Sequence, residues 1–233
     1  MNDLAALGQA ISVWFLPVVT AITLHEAAHG WMADRLGDDT ARRLGRVSFN
    51  PIRHIDPFGT LLLPGLLLLG ALLSGSQPLL FGWAKPVPVA FHRLGNPKRD
   101  MVWVALAGPG INIALALLAG ILLHAIGQLH ANDFTLWIWE NFKNAIMANI
   151  LLACFNMLPI PPLDGGRVLT GLLPLRHAIR FAQLERYGLM IVMGIFLVPI
   201  VADQAGLDFN PLVMILWPVI RVVYGIVATL TGW

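Results

Sequence analysis

A short motif near the start of the chain combines three side chains that can serve metal chemistry. His25, Glu26 and His29 form a His-Glu-x-x-His sequence inside a long apolar segment. On a helix, positions i and i+4 share one face, so both imidazoles can reach one ion while Glu26 lies beside its open position. The spacing predicts a zinc site, with Glu26 as the general base that deprotonates an activated water.

The same spacing also arises by chance on the surfaces of soluble helices. In a helix that crosses hydrocarbon, however, each charged side chain costs about 2.5 kcal/mol or more. Three ionisable residues together at such a depth therefore favour a functional site over a chance arrangement.

Catalytic zinc usually has three protein ligands, so a third ligand is expected elsewhere in the chain. Asp164 is the best candidate, because it follows the proline-rich end of a later apolar segment, Asn-Met-Leu-Pro-Ile-Pro-Pro-Leu-Asp over 156–164. Taken alone, Asp164 would be interpreted as the cap of a following helix. Its depth favours a ligand instead, because Asp164 and the two histidines lie near the ends of segments predicted to run in the same direction.

The composition identifies the environment in which these residues must fold. Of 233 residues, 57% are hydrophobic and 12% charged, with a mean hydropathy of +0.72, which predicts an integral membrane protein. The net charge of +2 is too small and dispersed to indicate nucleic-acid binding. The single Cys154 cannot form an internal disulfide, and residues 1–10 lack the basic start of a signal peptide, so they are interpreted as mature protein.

Five apolar segments are long enough, or nearly so, to cross a membrane as helices. A sixth, 58–73, is shorter and is interrupted by Pro64 and three glycines. The five segments cover residues 4–36, 101–127, 144–163, 187–202 and 211–230.

The basic residues predict which loops share a face of the membrane. Thirteen of the 15 lysines and arginines fall in the loops 35–53, 85–99 and 167–186, which are therefore expected to be cytoplasmic. The loops 128–140 and 202–210 contain none and are expected outside. A re-entrant hairpin or a partly buried loop at 58–73 makes this pattern consistent. It favours an all-α polytopic fold with an external N-terminus and about five to six helices, five of them full crossings, plus one re-entrant element.

The two motifs together resemble the site-2 protease family of intramembrane zinc metalloproteases. The resemblance rests on His-Glu-x-x-His at 25–29 and Asn-x-x-Pro-x-x-x-x-Asp-Gly at 156–165, with Gly-Pro-Gly-Ile-Asn at 108–112 and Gly-Trp-Ala-Lys-Pro-Val-Pro-Val at 82–89 as further shared features. It implies one Zn²⁺ held by His25, His29 and Asp164, Glu26 as the general base, and Asn156 as a polar residue that holds substrate or the developing oxyanion. It also implies one protease domain over 1–233, with a catalytic core at about 4–170 and C-terminal helices at about 185–231, in a minimal prokaryotic branch without PDZ or CBS domains.

The resemblance further implies a multi-pass protein of the cell membrane that cleaves peptide bonds in or near transmembrane segments of substrate proteins. The basic loops predict that the active site lies toward the cytoplasm. The alternating sequence at 86–91 predicts a small β-hairpin or edge strand that pairs with unwound substrate, although an ordinary interfacial loop explains it nearly as well. A membrane metal-binding or transport protein without proteolytic activity is the alternative. Glu26 favours the protease, because a transporter needs no base beside the first histidine.

Four other polar residues are predicted to have lesser roles. His54 and His92 lie in basic loops and are expected at the membrane interface. Either is the alternative third zinc ligand if Asp164 does not bind the ion. Asn112 and Asn149 lie in apolar segments, where they form an interhelical hydrogen bond or line a wet cavity. Arg221, midway along the last apolar segment, fits the topology poorly.

Overall fold

The computed structural model of the chain describes residues 2–74 and 82–233, and all regular secondary structure within these ranges is helical. A π-helical turn at Pro57–Leu62 precedes α3, and 3₁₀ turns occupy Pro51–His54, Phe91–Arg93 and Gln183–Tyr187. The α-helices are α1 (Asn2–Arg35), α2 (Thr40–Arg43), α3 (Leu63–Ser74), α4 (Pro97–Ile126), α5 (Asp133–Asn156), α6 (Asp164–Leu172), α7 (Leu175–Ala182), α8 (Gly188–Gln204) and α9 (Pro211–Thr231).

The centre of the protein is a three-helix bundle of α1, α4 and α5, against which α6 and α9 pack. Small residues are frequent at the contacts of α4, where alanines and glycines let apolar helices approach closely. On α4 alone the buried positions include Ala105, Gly108, Ala116, Ala119 and Gly120. Four stretches are long and apolar enough to cross a membrane: Gly8–Arg35, Pro97–Ile126, Leu175–Gln204 and Pro211–Thr231.

The fourth predicted segment, 144–163, differs from α5 at both ends. The helix begins earlier because Asn132 caps it, accepting hydrogen bonds from the N–H groups of Phe134 and Thr135. It ends at Asn156, ahead of the prolines, and a new helix begins at Asp164. The two halves of the predicted motif therefore lie on different helices, joined by a short irregular turn.

The three basic loops lie together at one end of the bundle, as their composition predicted. The N–H of Gly95 donates to the carbonyl of Leu36, and the Arg167 guanidinium lies 5.7 Å from the centre of the Phe91 ring. These contacts join the loop after α1, the loop before α4 and the start of α6.

The segment predicted to be re-entrant does return to its starting point. After the helical stretch at 57–74, the N–H of Trp83 donates to the carbonyl of Gly59, and the Thr60 hydroxyl donates to the carbonyl of Trp83. The described ends of this segment therefore lie at the same end of the bundle, as expected of a re-entrant element.

The predicted direction of the last helix is wrong. Thr231 lies against Gly120, and His124 Nδ1 lies 2.6 Å from the carbonyl oxygen of Gly232, so α9 ends where α4 ends. Because Leu216 and Ile220 are buried against the bundle, α9 lies alongside it and runs in the same direction as α4.

Residues 128–140 and 202–210 therefore do not share a face, and five full crossings do not describe the fold. The prediction failed because 202–210 contains only acidic charges, which carry little topological information. The prediction also assumed that residues 187–202 cross the membrane completely.

The predicted β-hairpin is also absent, since residues 2–74 and 82–233 contain no strand. Residues 86–90 have no regular secondary structure and pair with no second strand among the described residues. Pro86 and Pro88 lack N–H groups, and side chains bind some of the other backbone groups: Arg46 Nη2 donates to the carbonyl of Lys85, Glu26 accepts from Val87, and Asp38 accepts from Ala90.

Candidate metal centre

Three donor atoms from two distant parts of the chain converge inside the bundle. His25 Nε2 and His29 Nε2 on α1 are 3.0 Å apart, and Asp164 Oδ2 at the start of α6 lies 3.1 Å from the first and 3.3 Å from the second. All three residues are buried, with 4 to 7% of their surface exposed. The structure thus brings together the three residues that the sequence predicted as metal ligands.

The geometry of this cluster fits a zinc ion. Two ligand atoms at 2.0–2.1 Å from a tetrahedral zinc are about 3.3 Å apart, close to the observed separations. Asp164 Oδ2 is buried and accepts no conventional hydrogen bond from the described residues. A buried carboxylate oxygen facing two imidazole nitrogens needs a cation or a shared proton. The two nitrogens and one oxygen are donor atoms that zinc prefers.

Asp164 is not the helix cap that its sequence context allowed. It is the first residue of α6, and the preceding Leu163 makes no side-chain capping bond. The helix start aims the carboxylate at the histidines instead of at the backbone of its own helix. Close packing of the turn permits this, because a Cβ on Gly165 would lie 2.2 Å from the carbonyl oxygen of Met157.

The other ring nitrogen of each histidine faces an oxygen on α4. His29 Nδ1 lies 2.7 Å from the carbonyl oxygen of Val104, and His25 Nδ1 lies 2.6 Å from Oδ1 of Asn112. A backbone carbonyl only accepts, so His29 donates from Nδ1 and directs the lone pair of Nε2 into the cluster. Such partners orient the ligands of a metal.

Glu26 faces a cavity of about 450 Å³ beside the cluster. Val87, Asn156, Asp164 and Val192 also line this space. Glu26 Oε2 accepts a hydrogen bond of 2.8 Å from the N–H of Val87. Asn156, the last residue of α5, donates through Nδ2 to the carbonyl of Leu152, 3.0 Å away.

A buried carboxylate outside the apolar helix fixes the loop that covers this cavity. Asp38 follows α1 and accepts hydrogen bonds from the Thr40 hydroxyl and the N–H groups of Thr40 and Ala90. Burial alone would raise the pKa of the Asp38 carboxyl, but these hydrogen bonds hold it below its ordinary value. Asp38 thus ties the segment 86–90 to the end of α1.

The two histidines named as alternative third ligands lie outside the cluster of His25, His29 and Asp164. His54 is buried, with Nε2 3.0 Å from the carbonyl oxygen of Ser48, while His92 lies in a 3₁₀ turn and is exposed. The three-residue donor group contains neither. Asn112 was predicted as an interhelical bond or a cavity wall, and its contact with His25 was missed. The one available signal was its position within the Gly-Pro-Gly-Ile-Asn sequence.

Comparison with known proteins decides the family. The profile of Peptidase family M50 matches residues 124–199. "Putative zinc metalloprotease YwhC" of Bacillus subtilis is 36% identical over 188 residues, covering 79% of this chain and 80% of that protein. The chain belongs to peptidase family M50.

Other proteins named as zinc metalloproteases are also similar to this chain. "Putative zinc metalloprotease Rip2" of Mycobacterium tuberculosis is 28% identical over 183 residues, covering 78% of this chain but 65% of that protein. "Putative zinc metalloprotease MJ0611" of Methanocaldococcus jannaschii is 44% identical over 102 residues, 43% of this chain and 50% of that protein. No solved structure matches the chain. The family and the donor cluster imply Zn²⁺ as the cofactor.

Proposed function

We propose that this M50 metalloprotease is an intramembrane zinc endopeptidase, which hydrolyses peptide bonds in or near the transmembrane segments of membrane proteins. The observation that carries the proposal is the convergence of His25, His29 and Asp164 inside a bundle of apolar helices, with Glu26 beside them. In this proposal the first three residues hold the zinc. A hydrolytic site at such a depth serves substrates that enter from the bilayer.

Each polar group of the site then has a separate task. When bound, Zn²⁺ supplies Lewis acidity that activates water and polarises the scissile carbonyl. The Val87 N–H occupies Glu26 Oε2 and orients the carboxylate. Oε1 of Glu26 removes a proton from the attacking water, and the carboxyl group returns it to the leaving amine. The free N–H of Asn156 holds the substrate carbonyl oxygen.

The segment 86–90 is suited to hold an unwound substrate, because part of its backbone is unpaired. Helical substrates hide their carbonyls in hydrogen bonds, so cleavage requires an extended stretch. The N–H of Val89 and the carbonyls of Val87 and Val89 bind no other residue within 2–74 or 82–233. The Val87 N–H binds Glu26 Oε2, so these groups form a short unpaired edge beside Glu26. We propose that this edge pairs with substrate in the absence of a resident β-hairpin.

The function is tested by two substitutions in one ion site. Glu26→Gln preserves the size of the side chain, so the protein should fold, retain close to one zinc and lose proteolysis by several orders of magnitude. Asp164→Ala removes a ligand and should lower both zinc content and activity. Zinc content and cleavage are measured on both purified variants. Cleavage of single-span membrane substrates is followed by mass spectrometry.

Two results would contradict this assignment. Normal cleavage by Glu26→Gln would exclude the hydrolytic mechanism and leave a metal-binding or transport function. Full zinc stoichiometry in Asp164→Ala would exclude Asp164 as a ligand.

We further propose that the end of the bundle that carries the three basic loops faces the cytoplasm, which places the active site toward that side of the cell membrane. A cysteine at residue 128 and another at residue 206, each introduced into Cys154→Ala protein, test the orientation. With α9 parallel to α4, an impermeant reagent should label position 128 in intact cells, and position 206 only after permeabilisation. Labelling of both positions in intact cells would contradict the arrangement.

A further inference from the structure

Two asparagines deep in the bundle form a continuous hydrogen-bond chain that ends on His25. Asn149 Nδ2 donates to the carbonyl of Ala145 at 2.8 Å, and Asn112 Nδ2 donates to Asn149 Oδ1 at 2.8 Å. Asn112 Oδ1 then faces His25 Nδ1 at 2.6 Å. Both asparagines are buried, with 0% and 2% of their surface exposed. The chain crosses from α5 through α4 to α1.

Backbone carbonyls fix the direction of this chain. A side-chain amide can present either its oxygen or its NH₂ group to a neighbour, so each orientation must be decided by contacts. Asn112 Nδ2 lies 3.2 Å from the carbonyl oxygen of Ala21. That oxygen and the carbonyl of Ala145 only accept hydrogen bonds, so both amide NH₂ groups must face them. Consequently Asn112 directs an oxygen at His25.

The orientation of Asn112 determines which nitrogen of His25 carries the proton. Oδ1 only accepts, so the neutral ring must donate from Nδ1, and Nε2 then directs a lone pair at His29 and Asp164. The opposite tautomer, with the proton on Nε2, is also stabilised in the metal-free site, because Asp164 Oδ2 and His29 Nε2 lie only 3.1 and 3.0 Å from His25 Nε2. A proton on Nε2 would satisfy these acceptors and block a metal.

We propose that Asn112 and Asn149 are positioning residues that hold His25 in the Nδ1–H tautomer and so prepare it for zinc. Carboxylates often fill this role behind a metal-bound histidine, but a charge at this depth costs about 2.5 kcal/mol or more. An amide, oriented by a second amide, provides the acceptor without the charge. The proposal rests on the zinc site assigned above.

A matched set of leucine variants tests the proposal. Asn112→Leu removes the acceptor for His25, and Asn149→Leu removes one of two groups that orient Asn112. Asn144→Leu is the control, because Asn144 is also buried on α5 and donates to the carbonyl of Val13 on α1, 3.1 Å away, but has no link to His25. Each variant is checked for folding by thermal unfolding in detergent.

Two readouts separate positioning from ordinary structural support. Zinc affinity, measured by competition with a chelator, should fall about 10- to 100-fold in Asn112→Leu and less in Asn149→Leu, and stay unchanged in Asn144→Leu. In metal-free protein with ¹⁵N-labelled histidine, at a pH where the rings are neutral, the His25 signal is assigned by its loss in His25→Ala. It should show a protonated Nδ1 in the wild type and a protonated Nε2 in Asn112→Leu.

Several results would overturn the proposal. They are a protonated Nε2 on His25 in the wild type, an unchanged tautomer and zinc affinity in Asn112→Leu, or an equal loss of affinity in Asn144→Leu. If Asn112→Leu does not fold, Asn149→Leu decides, and unchanged zinc affinity there refutes the hydrogen-bond chain. The tautomer is read without metal, so a wild type that binds no zinc would refute the proposed function while still testing the role of Asn112.

Discussion

Gly108 on α4 offers a direct test of how tightly the two histidines are held. A Cβ at this position would lie 2.4 Å from His29 Nε2 and 2.6 Å from His25 Cε1. Ordinary contacts begin near 3.4 Å, so Gly108→Ala must displace the rings by about 1 Å. Metal–ligand distances tolerate only about 0.2 Å, and a reacting group misplaced by 1 Å can lose about 100-fold in rate.

The change should spare the fold while it disrupts the site. Alanine is favoured over glycine in a helix by about 1 kcal/mol, which opposes any loss of stability from crowding the imidazoles. Gly110→Ala is the matched control on the same helix, since a Cβ there meets nothing within 4 Å. We expect Gly108→Ala to lose zinc and at least about 100-fold in activity, and Gly110→Ala to keep both.

The assay combines metal content, zinc affinity by chelator competition, cleavage rate and thermal unfolding for both variants and the wild type. Retention of zinc and activity by Gly108→Ala would refute the conclusion that the imidazoles are fixed against α4. Equal losses in Gly110→Ala would mean that any added methyl group on this helix is disruptive, and the argument from the site geometry would fail.

Two further substitutions test the loops around the cavity. Because the pKa of Asp38 is held below its ordinary value, its ionised form stabilises the fold above about pH 4, and this contribution is lost as the pH falls through the lowered pKa. Asp38→Asn should therefore lower the unfolding temperature at pH 7 and converge with the wild type in acid, whereas a difference independent of pH would contradict this role. Gly59→Ala places a Cβ 2.4 Å from the Trp83 ring and should destabilise the protein by about 1–3 kcal/mol in denaturation experiments. Gly65→Ala, with open space at its Cβ, should not, and equal effects of the two changes would show that the return of the chain onto Gly59 is not closely packed.

Local sequence determined the elements and half of the site. The apolar segments are long enough to require helices in a bilayer, because their backbone must satisfy its own hydrogen bonds there. His25, Glu26 and His29 lie within two turns of one helix, so spacing alone placed the imidazoles on one face. The return of 58–73 followed from its length and from the charges on either side.

Only the tertiary structure decided how the helices meet. A helix that is apolar on all sides does not indicate which face packs inward or which way it runs, so neither the direction of α9 nor the lack of a full crossing at 187–202 could be read from the segments. Side chains of Glu26 and Asp38 bind the N–H groups of Val87 and Ala90 and hold the segment 86–90 without a partner strand, contacts that no local pattern records.

The contact between Asn112 and His25 shows the same limit within the site itself. These residues are 87 positions apart in the chain, and their meeting depends on the relative rotation and depth of α1 and α4. The sequence determines that a polar side chain lies in an apolar helix and must find a partner. The packing of three helices determines that the partner is a histidine of the metal centre.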